Sequence, residues 1–156
     1  METAEKIVEA YVRYVKRWAT IANINCPGQK EVDLLAIDYQ AGRRYHIEVN
    51  VSITPGFWRW RVQDLTSYLQ SHFLDDNVLR GLEEYGFQGD NYTKVFVTWD
   101  WEENAKAAAQ EIGIEMWRFP KIIQEINNKL MHEHGWLRDD VLRTIHLVLN
   151  AARNQQ

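Results

Sequence analysis

One stretch, residues 29–52, leaves the chain the fewest choices. Residues 31–38 and 44–52 are two runs rich in β-branched and aliphatic residues, joined by a polar link that contains Gly42; this is the pattern of a β-hairpin. In the second run the alternation is strict. Tyr45, Ile47, Val49 and Val51 fall on one face, and His46, Glu48, Asn50 and Ser52 on the other, because successive side chains of a strand point to opposite sides. The first run carries Asp33 in mid-strand. A carboxylate there, beside a strand bearing Glu48, brings two negative charges together, and they repel unless they share a proton or a cation. A hard divalent ion held by carboxylate oxygens accounts for such a pair. An ion pair with Lys30, Arg43 or Arg44 would account for Asp33 alone, whereas Asp33, Glu48 and Asn50 taken together on adjacent strands favour a site. His46 shares the face of Glu48; a hydrogen-bonded structural histidine is the first reading of it, ahead of a general base or a ligand.

The elements around the hairpin are read from periodicity and breakers. Residues 3–18 form an amphipathic helix with Thr3 as N-cap and Ala4, Ile7, Val8, Tyr11, Val15 and Trp18 on its apolar stripe. Glu5 and Glu9 sit near its positive end, where complementing the dipole is their simplest role. Residues 19–25 form a strand ended by Pro27-Gly28. The aromatic and arginine string 57–61 either stacks on bases or tucks onto the core. Helices follow at 60–74 and 77–86, a buried strand at 94–99, an Ala-rich helix at 102–112 closed by Gly113, and a strand at 114–117. A helix at 120–134 opens on Pro120, and one at 138–152 turns Val141, Leu142, Ile145, Val148 and Leu149 inward. The strand–helix–strand order predicts a right-handed parallel crossover, and the whole chain, 1–156, reads as one mixed α/β domain.

Charge and cysteine usage narrow the function classes. A net charge of −4 argues against a wholly basic nucleic-acid binder. The balance is uneven, with nine Lys/Arg against seven Asp/Glu in residues 1–61, and nine against fifteen in 62–156. Arg43, Arg44, Arg59 and Arg61 flank the acidic hairpin, which suits a phosphate-bearing ligand, although charge runs are more often solvated faces. The single cysteine, Cys26, rules out an intrachain disulfide and a cysteine-based zinc site. His132 and His134 are two apart, which does not place them on one helical face, so they read as helix-end residues. The seven tryptophans, Trp99, Trp101, Trp117 and Trp136 among them, suit core or interface positions. No apolar run approaches the roughly 18 residues of a membrane span, and a reducing, cytoplasmic setting is expected.

Ala4-Glu5 on the first helix, Glu31-Val32-Asp33 on the second strand and Ile47-Glu48-Val49-Asn50 on the third follow one another in order. This series resembles the PD-(D/E)XK nuclease superfamily, the restriction-endonuclease-like fold, and above all its Holliday-junction-resolvase and restriction-like branches. The resemblance spans roughly residues 3–126 and implies a central mixed sheet flanked by helices. It implies Mg²⁺ (or Mn²⁺) held by Asp33, Glu48 and the carbonyl of Val49, with Glu5 contributing through a water, and cleavage of DNA phosphodiester bonds. Asn50 would orient the attacking water, Gln63 matches a glutamine that often follows in the family, and Lys30, Arg43, Arg44, Arg59 and Arg61 would contact nucleic acid. The departure is Asn50, which stands where the family has lysine and carries no positive charge. Lys30, Arg59 or Arg61 could supply that cation, the metal could act without one, or the domain could be catalytically silent and bind nucleic acid or protein. A third reading is an unrelated α/β domain with a structural acidic hairpin. A homodimer through the last helix, 137–152, rests on analogy alone.

Overall fold

A computed structural model describes residues 2–52, 59–132 and 139–153. The hairpin is present: β2 (Lys30–Asp38) runs antiparallel to β3 (Arg43–Asn50), with Leu34 opposite Ile47 and Asp38 opposite Arg43. β1 (Ala19–Cys26) pairs antiparallel on the outer side of β2. β5 (Thr93–Thr98) and β7 (Ile114–Arg118) then extend the sheet in parallel from β3, giving the order β1-β2-β3-β5-β7. The parallel crossover and the mixed sheet flanked by helices are therefore as expected. A two-residue strand pair, β4 (Arg59–Trp60) with β6 (Asp100–Trp101), was not foreseen, and it delays α2 to Val62–Phe73.

Helices cover both faces. On one side, α1 (Thr3–Ala10), the turn that follows it, α5 (Phe119–His132) and α6 (Asp140–Arg153) enclose a core that includes Val8, Val12, Leu34, Ile47, Val95 and Ile126. On the other side, α2 and α4 (Glu103–Glu111) cover Leu65, Leu69, Phe73 and Phe96, while α3 (Asp76–Glu83) covers Ile24, Val32, Leu35 and Leu82. The His46–Glu48 face of β3 is therefore not a solvent face. α2 roofs it, and His46 is 0% and Glu48 1% exposed.

Several boundaries differ from the sequence reading for local reasons. The N-cap of α1 is Glu2, not Thr3, and the Glu2 N–H donates to Glu5 Oε2 at 2.9 Å. The first helix is not α-helical to its end: a π-helical turn, Tyr11–Val15, carries the Lys16 N–H to the Tyr11 carbonyl, and Arg17 at φ 63 stops it. α3 begins one residue early because Asp75 caps it, accepting from the Asn77 N–H. On α6, Leu142 is buried as expected, but Val148 is not inward: it is 61% and its neighbour Leu147 68% exposed. Trp101 is buried, whereas Trp99 and Trp117 lie at the margin of the core. Phe57, Trp58, His134 and Trp136 lie outside the described residues. Among the described residues no helix is long and apolar enough to cross a membrane.

β2 also departs from strict alternation, and this matters for the site. Val32 and Leu35 pack on the α3 side, whereas Leu34 and Ala36 pack on the α1 side. The phase therefore shifts at Asp33. Opposite it on β1, Asn23 is absent from the ladder and has a left-handed φ of 54, so the irregularity crosses both strands.

α3 meets the sheet at Gly81. A Cβ there would lie 2.3 Å from Cys26 Sγ and 3.2 Å from Cys26 Cα. Alanine ordinarily gains on glycine inside a helix by about 1 kcal/mol, but overpacking a rigid contact costs about 1–3 kcal/mol. Gly81→Ala is expected to lower the urea midpoint, and by less in a Cys26→Ala background, where the nearest clash is removed. Equal losses in both backgrounds would show that Cys26 is not the obstacle.

Candidate metal centre

The paired ladder between β2 and β3 ends at Leu34 and Ile47. Beyond it the Asp33 side chain replaces the missing backbone partner: the Val49 N–H donates to Asp33 Oδ2 at 2.7 Å. Glu48 lies beside it, and the Glu48 charge raises the pKa of Asp33. The two carboxyl groups thus share one cleft. A residue's N–H and C=O point to the same flank of a strand, so the Val49 carbonyl also faces the gap. The parallel strands β3 and β5 end at this edge, the usual place for a site in such sheets.

Burial and crowding set the protonation of the pair. Asp33 is pushed up to about 8, first by desolvation and then by the Glu48 charge, against the opposing hydrogen bond from Val49. Glu48 is pushed up to about 8, again chiefly by burial. His46 Nε2 lies 2.6 Å from Glu48 Oε1. This would be an ion pair only with a protonated ring, but burial first and Lys94 second hold His46 down to about 3, so the contact is a hydrogen bond to a neutral imidazole.

The pair opens onto a cleft of about 480 Å³, lined also by Glu2, Glu5, Glu31, Lys30, Asn50, Tyr68, Ser71 and His72. α2 supplies Tyr68, Ser71 and His72 from one face, at helical spacing. Tyr68 lines the cleft with Asn50 and stacks on His72 with ring centroids 3.9 Å apart. A second hollow, about 340 Å³, lies by β7 and α5; there Glu125 is already held by the Tyr11 hydroxyl and by Lys16.

The expected residues are thus only partly brought together. Asp33, Glu48, Val49, Asn50, Glu5 and Lys30 line one cleft. Glu5 is also engaged in its helix cap. Lys30 pairs with Asp75 at 3.5 Å, not with Asp33. Arg43 and Arg44 lie at the turn end of the hairpin, opposite Asp38 and Ile37, and neither lines the cleft. Arg59 is held by the Trp101 carbonyl at 3.3 Å and lies 3.8 Å from Asp100. Arg61 precedes α2 as its N-cap and Gln63 is exposed on its first turn; neither lines the cleft. Tyr68, Ser71 and His72 were missed, although their spacing behind Asn50 on an amphipathic helix was visible.

The donor set is hard oxygen and suits a cation that keeps several waters, as Mg²⁺ does with one or two carboxylates. Among the described residues no group of three or more His, Cys, Asp or Glu side chains is arranged to hold an ion, so protein ligation would rest on Asp33, Glu48 and a carbonyl.

No family model and no curated protein matches the chain. Among solved structures, a protein of unknown function, AF1548, is similar at a TM-score of 0.58 with 21% identity, over 88% of this chain and 72% of that one. A repair endonuclease from Pyrococcus abyssi is similar at 0.48 with 17% identity, over 76% of this chain and 47% of that one. EndoMS in complex with double-stranded DNA is similar at 0.43 with 18% identity, over 76% and 45%. The chain thus spans less than half the length of the latter two, and the first likeness establishes a shared fold.

The raised carboxyls give a pH dependence whose sign is fixed. Both groups bind protons more tightly folded than unfolded, so their contribution to stability is complete below the unfolded values of about 4 and is lost as pH rises towards 8. In chelator, denaturant unfolding of the wild type is expected to show falling stability between pH 5 and 9. Glu48→Gln, which keeps the shape without the charge, should flatten that slope. A parallel slope in the variant would remove the pair as its cause.

Proposed function

We propose that the chain is a divalent-metal-dependent nuclease that hydrolyses DNA phosphodiester bonds. The observation that carries this is a buried carboxyl, Glu48, and a half-buried one, Asp33, lining one cleft at the end of the parallel strands. An acidic cleft repels a phosphodiester unless a cation lies between them. Asp33, Glu48 and the Val49 carbonyl would hold Mg²⁺ or Mn²⁺. When bound, such an ion lowers the pKa of a coordinated water and offsets charge on the phosphate oxygens. The chain's own part is to hold the ligands still and to exclude bulk water. The Val49 N–H fixes Asp33, and α2 covers Glu48.

Asn50, which lines the cleft beside Tyr68, takes the lysine's place in the motif and offers the water a neutral donor or acceptor. Lys30 is the described lysine of the cleft lining, and it would approach a phosphate once released from Asp75. Glu5, whose carboxylate faces the same cleft, would act through a water. Arg43, Arg44, Arg59, Arg61 and Gln63 do not line the cleft and would contact DNA flanking the scissile bond.

Incubation of plasmid, linear and branched DNA with Mn²⁺ tests the proposal. Cleavage is expected, and Asp33→Ala or Glu48→Ala should abolish it. Mg²⁺ or Mn²⁺ should also raise the wild-type Tm by mass action, and not that of Asp33→Ala. A metal-dependent Tm rise with no cleavage of any substrate would select the silent, binding form of the domain. No Tm rise and no cleavage would end the metal reading.

Restoring the missing cation is a separate test. Asn50→Lys is expected to raise the cleavage rate by about 10²-fold, the lower range for a positioned proton-transfer group. An unchanged or lower rate would show that the Asn50–Tyr68 pair already fills that role.

A further inference from the structure

His46 is a residue that core packing alone does not explain. It is fully buried, its ring lies 4.6 Å from that of Phe73 and 6.3 Å from that of Tyr92, and its Nδ1 has no hydrogen-bond partner among the described residues. An apolar side chain of similar size would fill the same space without an orphaned polar atom. What the imidazole adds is one contact, Nε2 to Glu48 Oε1 at 2.6 Å.

The tautomer follows from the two ring atoms together. A neutral imidazole carries one proton. With Glu48 ionised, as a metal ligand must be, a proton on Nδ1 would be a buried donor with nothing to meet, and Nε2 would present a lone pair to the carboxylate. On Nε2, it is donated to Glu48, and the unsatisfied atom is a single acceptor. The second arrangement leaves the smaller penalty.

We propose that His46 is a positioning residue for Glu48: as the Nε2–H tautomer it holds Oε1, and so turns the other carboxyl oxygen towards Asp33 and the cleft. The inference rests on the metal reading given above, because a fixed Glu48 matters only where its second oxygen has something to bind. It assigns the histidine no contact with substrate. Its part is that of the outer partners that orient metal ligands elsewhere, whose loss commonly costs 10–100-fold in metal affinity.

Two measurements on the full chain test it. The first is ¹⁵N NMR of the His46 ring in the wild type saturated with Mg²⁺, where Glu48 is ionised; it needs no variant. The Nε2-protonated form is expected, and an Nδ1-protonated ring would overturn the proposal. The second is Mn²⁺ titration of wild type, His46→Gln and His46→Leu, with circular dichroism to establish that each is folded. His46→Leu is expected to bind Mn²⁺ at least tenfold more weakly, and His46→Gln, which keeps an N–H donor, to recover most of the loss. A folded His46→Leu that binds Mn²⁺ as tightly as wild type would overturn it, as would a glutamine variant no better than leucine. Wild-type chain that binds no Mn²⁺ overturns the metal reading itself, a result read before any variant is compared. If His46→Leu does not fold, the ring tautomer and the glutamine variant decide.

Discussion

The hydrogen bond from the Val49 N–H to the Asp33 carboxylate is the contact on which the candidate centre depends. It stands where two strands part. Up to Leu34 and Ile47 the backbone pairs with itself; one residue on, a side chain takes over the work of a carbonyl. An unpaired buried N–H costs about as much as a lost hydrogen bond, so the strands can separate there only because Asp33 supplies the acceptor. The same substitution sets the carboxyl of Asp33 in one cleft with that of Glu48, whose charge it feels.

Around that fork the rest of the chain removes water. α2 lies over the His46–Glu48 face, and Phe73 at the end of that helix packs on the imidazole. Desolvation then raises both carboxyls. Two acids that would be unremarkable on a surface become a pair that needs a proton or a cation. The effect arises from packing rather than from the residues alone, since Glu31, two positions from Asp33, is exposed and lies on the same cleft.

The sheet was legible because its signals are local. Alternation over 44–52, the Pro27-Gly28 break and the apolar run at 94–99 each mark a strand without reference to anything distant. What escaped was tertiary. Alternation shows that His46 and Glu48 share a face but not that a helix roofs it, so a polar face was read where a buried one exists. The phase shift at Asp33 needs Asn23 across the ladder, and no periodicity within β2 reveals it. Arg43 and Arg44 are near Glu48 in sequence, yet a strand rises about 3.3 Å per residue, which carries them to the far end of the hairpin. Val148 fits a helical stripe on paper, but α6 packs against α1 and α5 through the end that carries Leu142, and Val148, six residues on, is left exposed. Tyr68, Ser71 and His72 sit on α2, well past the hairpin in sequence, and only the packing of that helix on the sheet brings them to the cleft with Asn50.

The tightness of the hairpin carries a kinetic consequence. Asp33 and Val49 are sixteen positions apart and are joined by a short turn. Closing so small a loop costs little entropy, and hairpins form in microseconds. β5 and β7 must wait for crossovers through helices before they can pair. The two acids are therefore in register before the layer that buries them has arrived, and the late step of folding is the one that must strip their water. A chain built this way assembles its ligands as a local event and meets its electrostatic barrier as a global one.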